Sequence, residues 1–352
     1  MISHKIIDST VKEDMPVRES HRKRLIEIDR VTALAIFLVV VGHVAARKPP
    51  DDNSWYVSLK SIIYMFHMPL FMFISGCIFA YTYKPISTTS EYFTWATKKI
   101  QRLAPGFLIF GSLIILGKKA AINCVYVDNP SISFLSDFYY LLIDPIKSPA
   151  SSLWYIYVLI ELYLIFPILI RFITKNLAYT FMFCCTLHLI HLSFPIACYF
   201  KINYLFEYAY YFSLGALMCV YYDQFIHKVN KYKLYFIIIF ISSFISTSYL
   251  AKPLAKTFIG TFSIPAFFGI AGSHFVKYDR ILITISSYTY TIYLMNTIAI
   301  GTVKGVLLKL FSWDGPNFFL YFIVLIFSGL FFPILAHKII LYRIPYISKI
   351  TR

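Results

Sequence analysis

Ten apolar stretches, separated by short polar connections, recur along the chain. Each approaches the roughly 20 mostly apolar residues that an α-helix needs to cross a bilayer. The stretches lie at 31–46, 61–81, 103–117, 153–171, 177–199, 204–222, 234–250, 258–276, 281–303 and 317–337. Several contain Gly or Pro, which membrane helix bundles tolerate. The pattern predicts an all-α fold, a polytopic membrane helix bundle of about ten transmembrane helices.

The basic residues of the connections predict the orientation of this bundle. If the N-terminus is cytoplasmic, the connections on its side hold 22 Lys and Arg, and the others hold 11 of the 33. Because Lys and Arg are enriched on the cytoplasmic side of membrane proteins, we expect both termini there and an even number of spans. The chain then divides into a cytoplasmic N-terminal tail (1–30), a membrane domain (31–337) and a cytoplasmic C-terminal tail (338–352).

Composition excludes most other classes of protein. Hydrophobic residues make up 59% of the 352 positions and charged residues only 14%, whereas soluble domains carry about 25% charged residues. The net charge of +16 would suggest nucleic acid as the partner of a soluble protein. Here the excess charge lies between apolar stretches, where it meets anionic headgroups. We therefore expect the lipid bilayer, and no nucleic acid, as the partner of these residues.

The longest connection on the non-cytoplasmic side runs from about 117 to 152. It carries Asp128, Asp137 and Asp144 together with several Ser and Pro residues. Two interpretations stay open: the connection forms part of an external vestibule, or it is a solvated loop.

Ionisable side chains at membrane depth are costly, so each is a candidate functional residue. They are His43, His67, Glu161, His188, His191, Glu207 and His274. His43 lies about a dozen residues into the first stretch, or roughly 18 Å at 1.5 Å per residue, which is past mid-membrane. A lone His in a helix can be a packing residue, but imidazole is also the natural proton acceptor near neutral pH.

The sequence lacks the motifs of several other kinds of functional site. His188 and His191 share a helix face, but a metal site would need at least one further ligand, and none is evident, so we expect no metal. The chain contains no G-x-S-x-G, H-E-x-x-H or P-loop sequence, which argues against those hydrolases and against ATP-driven pumps with P-loops.

Five segments carry recognisable motifs. Residues 27–43 begin EIDRVTALA and end with Gly-His, residues 66–76 read FHMPLFMFISG, and residues 98–105 read KKIQRLAP. Residues 153–167 begin LWY and continue through Glu, Tyr and Pro, and residues 287–296 contain Ser followed by IYL and Asn.

These segments together resemble the acyltransferase-3 family, integral membrane enzymes that O-acetylate bacterial surface sugars. The resemblance covers about residues 24–300. His43 falls at the family's spacing from the acidic start of the opening helix. Thr32 occupies the usual Arg position, for which Arg30 is the nearby substitute, and Asn296 occupies a position where His is common.

The resemblance implies transfer of an acetyl group from acetyl-coenzyme A to a sugar hydroxyl, with no bound cofactor. His43 is the expected general base, and Glu161 is the second candidate catalytic residue, which orients the base, binds the acceptor or pairs with a buried cation. Lys98, Lys99 and Arg102 are expected to bind the phosphates of the acyl-CoA. The alternative for these three cations is that they are ordinary anchors on the cytoplasmic side.

Five further residues are expected to support the substrates. They are Arg30, His67, Ser75, Trp154 and Asn296. Ser75, Asn296 and also Ser152 are candidate donors to the oxyanion, and each is equally well explained as a helix–helix contact. His67 precedes Pro69, which removes a backbone hydrogen bond, so His67 either takes part in catalysis or bonds a backbone carbonyl there.

The sequence thus predicts a membrane O-acyltransferase of a bacterial inner or plasma membrane, acting on a surface polysaccharide or its lipid-linked precursor. Its partners would be an acyl-CoA and a glycan or lipid-linked sugar. Two alternatives remain, a polysaccharide exporter or flippase-like transporter and a non-enzymatic assembly or sensor subunit. The two halves of the chain show no correspondence of the kind that transporter repeats produce.

Overall fold

A computed structural model of the chain describes residues 24–45, 50–124, 127–131, 133–174, 176–194, 200, 202–273 and 280–343. The predicted tails 1–30 and 338–352 fall largely outside these residues, as does His274.

The described residues form helices and no strand, so the all-α prediction is confirmed. The helices are α1 (Ile26–His43), α2 (Ser54–Thr82), α3 (Thr89–Ala121), α4 (Phe134–Ile143), α5 (Trp154–Ile168), α6 (Leu177–Ser193), α7 (Ile202–Val220), α8 (Tyr222–Lys231), α9 (Lys233–Ser243), α10 (Lys252–Ala271), α11 (Arg280–Ser287), α12 (Thr289–Leu307) and α13 (Asn317–Ile339). Short 3₁₀ or π turns extend α5, α9 and α13 at their C-terminal ends and precede α5.

Five helical segments of the described chain are long and apolar enough to cross a membrane. They are Ser54–Thr82, Thr89–Ala121, Ser151–Thr174, Lys252–Ala271 and Asn317–Arg343. A sixth is possible if α8 and the helix that follows it, which meet at an angle of 82°, count as one broken span. The chain is thus a multi-pass helical membrane protein, while ten spans and cytoplasmic termini stay predictions.

The remaining predicted spans correspond to helices that are too short or too polar to count as candidate membrane spans, or that are interrupted. The 18-residue helix α1 carries Glu27, Asp29 and Arg30 in its first turns. Helix α6 has 17 residues, and α7 is rich in Tyr and contains Glu207. The predicted stretch 281–303 is not one helix, because α11 ends at Ser287 and α12 begins at Thr289.

The third helix is much longer than the predicted stretch 103–117. It begins at Thr89, where the Glu91 amide donates to Thr88 Oγ1 at 3.2 Å and Glu91 Oε2 accepts from the Thr88 amide at 3.2 Å. This reciprocal capping box satisfies two amides that a helix start otherwise leaves unpaired. Lys98, Lys99 and Arg102 therefore lie on a helix and not in a connecting loop.

Helix α2 occupies a central position, where it contacts α1, α5, α7 and α10. Its closest neighbour is α7, and the two backbones touch at a pair of glycines. A Cβ added to Gly76 would lie 1.9 Å from the Phe212 carbonyl oxygen, and one added to Gly215 would lie 2.0 Å from the Phe73 carbonyl oxygen. Small residues of this kind allow close helix packing in membranes, where van der Waals contact stabilises helix association.

We predict that Gly76→Ala destabilises the protein, because the carbonyl that the new methyl group meets belongs to a packed helix and has little room to move. Overpacking of this kind costs about 1–3 kcal/mol. The measurement is the melting temperature of the detergent-solubilised protein. Gly117→Ala is the control, since a Cβ there meets nothing within 4 Å. Equal melting temperatures for the Gly76 variant and the wild type would contradict this packing.

Candidate functional site

A cavity of about 630 Å³ lies at the end of the bundle where α1, α3 and α12 finish and α5 begins. This volume is within the range of about 300–1,000 Å³ that is typical of small-molecule sites. Its polar lining includes His43, Tyr64, Lys118, Asp128, Asn129, Ser151, Ser152, Thr297, Thr302 and Lys304. Trp154 and several aliphatic residues supply apolar surface.

His43, the last residue of α1, lines this cavity and is hydrogen-bonded to Asn296 of α12. Its Nδ1 lies 2.7 Å from Asn296 Oδ1. The Asn296 amide nitrogen donates to the Ile292 and Tyr293 carbonyl oxygens at 2.8 and 2.9 Å, which fixes its oxygen toward the histidine. Because an amide oxygen only accepts, Nδ1 carries a proton.

Asn296 therefore selects the tautomer of His43. With Nδ1 protonated, the lone pair of the neutral ring resides on Nε2, and no described residue forms a hydrogen bond with Nε2. Asn296 is fully buried, whereas His43 is half-buried. The pair therefore presents an available proton acceptor in a partly enclosed space, which is what general-base chemistry requires.

Tyr64 of α2 forms the wall beside His43. Its hydroxyl donates to the Gly42 carbonyl oxygen at 3.0 Å, and its ring centroid lies 5.0 Å from that of His67. His67 is buried, and its Nδ1 lies 2.8 Å from the Ile63 carbonyl oxygen, to which it donates. His67 is absent from the cavity lining. This bond differs from the expected one, because the carbonyl that Pro69 leaves without an amide donor is that of Met65, four residues before it.

The start of α5 is fixed to α2 and α12 by hydroxyl groups. Ser75 Oγ lies 2.6 Å from the Tyr155 hydroxyl, and the Tyr293 hydroxyl donates to the Ser152 carbonyl oxygen at 2.5 Å. The Ser152 hydroxyl, which lines the cavity, lies 3.4 Å from that of Thr297. Ser75 is not part of the cavity lining, so its hydroxyl supports the site through Tyr155.

Trp154 and Glu161 share one helix but not one site. Trp154 lines the cavity and packs against Tyr204 and Tyr208, with ring centroids 5.0 and 5.3 Å away. Glu161 lies seven residues later, or roughly 10 Å along the helix, and does not line the cavity. Its Oε2 is buried without a hydrogen-bond partner among the described residues.

The predicted acyl-CoA-binding cations lie toward the opposite end of the bundle from the cavity. Lys98 and Arg102 are exposed. The Lys99 ammonium lies 4.2 Å from the Trp95 ring centroid and 4.7 Å from that of Tyr163. Lys99 precedes the first cavity-lining residue of α3 by 14 positions, or about 21 Å of helix.

Arg30 belongs to the same end as these cations. It is buried, and its guanidinium donates to the Ala271 carbonyl oxygen at the end of α10 at 3.3 Å. It precedes His43 by 13 residues of α1, or about 20 Å. Thr32, at the family's usual Arg position, bonds the Ile28 carbonyl of its own helix at 2.7 Å. The predicted site residues thus divide between two ends of the bundle.

The long connection 117–152 forms the roof of the cavity, so its described residues favour the vestibule interpretation over a solvated loop. Lys118 Nζ donates to the carbonyl oxygens of Asp128 and Pro149 at 2.8 Å and of Asn129 at 3.4 Å. The Asn129 amide donates to the Ser148 carbonyl oxygen at 2.8 Å. Lys304 Nζ lies 3.6 Å from Asp128 Oδ2 and 3.9 Å from the Trp313 ring centroid.

Sequence reasoning missed Tyr64, Lys118 and Lys304 as parts of the site, and it placed Asp128 in a connection that was either a vestibule or a solvated loop. The signal for Lys118 was the abrupt end of the third apolar stretch at a pair of lysines. The signal for Asp128 was its position in the longest connection. Neither signal identifies a partner, because the contacts join segments far apart in sequence.

His188 is engaged within the protein. Its Nδ1 lies 3.1 Å from the Glu207 carbonyl oxygen, and its Nε2 lies 3.0 Å from the Thr257 hydroxyl. Glu207 forms an ion pair of 2.7 Å with Lys256. Within the described ranges, no group of three or more His, Cys, Asp or Glu residues is placed to hold a metal ion.

A family model described as an acyltransferase domain matches residues 25–338. A stretch of 102 residues is 40% identical to nodulation protein NolL of Sinorhizobium fredii (strain NBRC 101917 / NGR234). This match covers 28% of the present chain and 26% of that relative, so the chain spans about a quarter of the relative's length. No solved structure matches the chain.

The helical fold and the family match define a multi-pass membrane protein with an acyltransferase domain. The chain belongs to the acyltransferase-3 family, as its motifs predicted. Family membership favours the enzyme over the transporter and over the non-enzymatic subunit.

We predict that Lys118→Met loosens the roof of the cavity, because it removes three bonds from an ammonium group to backbone carbonyls. Hydrogen bonds to charged groups contribute about 1.5–3 kcal/mol each. Amide hydrogen exchange of residues 133–150, measured by mass spectrometry, should accelerate by about tenfold or more. Lys119→Met is the control, since the Lys119 side chain is exposed and its ammonium lies 5.4 Å from the Phe134 ring centroid. The same exchange in both variants would show that Lys118 does not fasten the roof.

Proposed function

We propose that the protein transfers an acetyl group from acetyl-CoA to a hydroxyl of a surface polysaccharide or of its lipid-linked precursor. The enzyme would work in a bacterial inner or plasma membrane. The observation that carries the proposal is the His43–Asn296 pair, which leaves Nε2 available in a cavity large enough for a small molecule. The acceptor class rests on the resemblance to the family.

The reaction follows from the chemistry of an imidazole with a free Nε2. The acceptor hydroxyl attacks the thioester carbonyl carbon while Nε2 takes the hydroxyl proton, so a C–O bond forms and a tetrahedral oxyanion develops. Collapse of this intermediate breaks the C–S bond. The imidazolium returns the proton to the departing coenzyme A sulfur, which leaves an ester, a free thiol and neutral His43. Asn296 Oδ1 stabilises the imidazolium through Nδ1.

The oxyanion needs hydrogen-bond donors that are not already used. The Asn296 amide hydrogens are engaged with two backbone carbonyls, and Ser75 is bonded to Tyr155. Ser152 and Thr297 are better placed, since both line the cavity and the single hydrogen bond between their hydroxyls, at 3.4 Å, uses only one of the two O–H hydrogens. We therefore assign oxyanion stabilisation to these two hydroxyls, in place of Ser75 and Asn296.

The acyl donor would enter from the opposite end of the bundle. There Lys98, Lys99 and Arg102 provide cations for the phosphates of coenzyme A. The thioester would then reach His43 along roughly 20 Å of the bundle interior. Glu161, part-way along α5, has a buried carboxylate oxygen without a described partner and would contact the donor or the acceptor on this route.

We predict that His43→Gln and His43→Ala each reduce acetyl transfer by about 100-fold or more, since general-base catalysis contributes about 10²–10⁴ in rate. The measurement is transfer of labelled acetyl from acetyl-CoA to glycan by purified protein in detergent. His191→Gln is a matched control, because His191 is also an intermediate-exposure histidine near a helix end but is absent from the cavity lining. Undiminished transfer by the His43 variants would refute the mechanism.

The role of Asn296 has a separate signature. Asn296→Ala should lower the rate by about tenfold, the worth of one hydrogen bond. Asn296→Asp places a carboxylate beside Nδ1, which holds a proton on the ring more tightly. The loss of activity on the acidic side of the pH–rate profile should then begin at a higher pH. An unshifted profile in an active Asp variant would show that Asn296 acts only by packing.

We predict that Lys99→Ala combined with Arg102→Ala raises the KM for acetyl-CoA by about tenfold and leaves kcat near that of the wild type. The reason is that these cations would contact phosphates remote from the reacting carbon. Lys84→Ala removes an exposed cation between α2 and α3 and is the control. If the double variant changes only membrane insertion or orientation, the cations are topological anchors.

A further inference from the structure

Asp128 carries a buried carboxylate oxygen in the wall of the cavity that contains His43. Its side chain is 15% exposed, and Oδ2 forms the ion pair with Lys304. The other oxygen, Oδ1, is buried and accepts no hydrogen bond from any residue that the structure describes. A buried carboxylate oxygen without a donor costs free energy, and native structures rarely leave one unpaired without a functional reason.

Lys304 complements this carboxylate. Its side chain is 13% exposed and its ammonium is held against the Trp313 ring. At 3.6 Å from Oδ2 it forms an ion pair, but it makes no hydrogen bond within 3.5 Å to a described residue. Asp128 and Lys304 thus place an unused acceptor and unused N–H donors side by side in one cavity wall.

The other cations near this wall are already used by the protein. Lys118 donates to three backbone carbonyls, and Lys60 donates to the Ala45 carbonyl oxygen at 2.5 Å. An anionic ligand would meet the unpaired Asp128 oxygen with a like charge. A hydroxyl group both donates and accepts, so it matches the Asp128–Lys304 pair.

We propose that Asp128 and Lys304 form a subsite that binds hydroxyl groups of the acyl acceptor and so orients a neighbouring hydroxyl toward His43 Nε2. This inference rests on the proposed function and narrows it. The ligand at this wall is a neutral polyhydroxylated ring, not a phosphate. Asp128 contacts the acceptor and sets specificity, and it takes no proton in the reaction.

The test compares Asp128→Asn and Asp128→Ala with Asp144→Asn. Asp144 belongs to the same connection, is 14% exposed and pairs with Lys147 at 3.5 Å, but it does not line the cavity. The probes are methyl hexopyranosides of glucose, galactose and mannose as acceptors, with labelled acetyl-CoA as donor. Melting temperatures in detergent identify any variant that fails to fold, and Lys304→Met provides a second route to the same subsite.

We expect the Asp128 variants to raise the KM for the accepted glycoside by about ten- to a hundredfold, the range of a hydrogen bond to a charged group. The KM for acetyl-CoA should not change, and Asp144→Asn should behave as the wild type. As a competitor of acetyl transfer to the accepted glycoside, glucose 6-phosphate should inhibit the wild type less than a neutral methyl glycoside does. This difference in inhibition should shrink in Asp128→Asn.

Three results would overturn the subsite: an unchanged acceptor KM in folded Asp128 and Lys304 variants, an equal effect of Asp144→Asn, or stronger inhibition of the wild type by the phosphosugar. Each of these leaves a wild type that still transfers acetyl, so the proposed function would stand. A wild type that transfers acetyl to no glycoside would overturn the proposed function and the subsite with it.

Discussion

The contact between the backbones of α2 and α7 determines where the other helices can lie. In a bilayer, helices associate largely through close packing, and a contact at Gly76 and Gly215 brings two backbones as near as helices come. Helix α2 is thereby fixed at the centre, against α1, α5 and α10. Its Tyr64 bonds the end of α1 and its Ser75 bonds the start of α5. The parts of the cavity lining on α1 and α5 therefore depend on the position of α2.

A second constraint operates on the polar side chains, which must find partners inside the protein. Several of those near the cavity donate to backbone carbonyl oxygens. Tyr64 donates to Gly42, His67 donates to Ile63, and Asn296 donates to Ile292 and Tyr293. These bonds fix orientation and leave a short set of groups with unused capacity. His43 Nε2 and Asp128 Oδ1 belong to that set, and both residues line the same cavity, which is why chemistry and recognition are assigned to them.

The sequence predicted the helical class and the family, and it identified His43 and Asn296 separately as candidate site residues. The length of an apolar stretch and the spacing of a motif are local properties of the sequence, so they can be read without knowing the tertiary structure. The pairing of His43 with Asn296 was not predictable, because a sequence separation of 253 gives no measure of which helix faces meet. The distance between His43 and the cations at residues 98–102 followed from local spacing, since His43 lies roughly 18 Å into its helix and the cations precede their apolar stretch.

Helix boundaries were predicted less well than helix existence, for identifiable reasons. Helix α3 begins well before its apolar stretch, because the Thr88–Glu91 capping box starts a helix in polar sequence. The stretch 281–303 looks continuous by hydropathy, yet its helix is interrupted at Tyr288, which hydropathy cannot register. The sequence left the connection 117–152 as either a vestibule or a solvated loop, because it does not show that Lys118 bonds the backbone of residues 128 and 149.

The attachment of the roof of the cavity through Lys118 has an evolutionary consequence. Lys118 donates hydrogen bonds to main-chain carbonyl oxygens, which every amino acid possesses. These bonds therefore do not depend on the identity of the side chains around them. Replacement of the Asp128 side chain therefore changes the lining of the cavity and leaves these three bonds in place. The lining of the cavity can thus change through a few side chains in one segment, without rebuilding the helices beneath it.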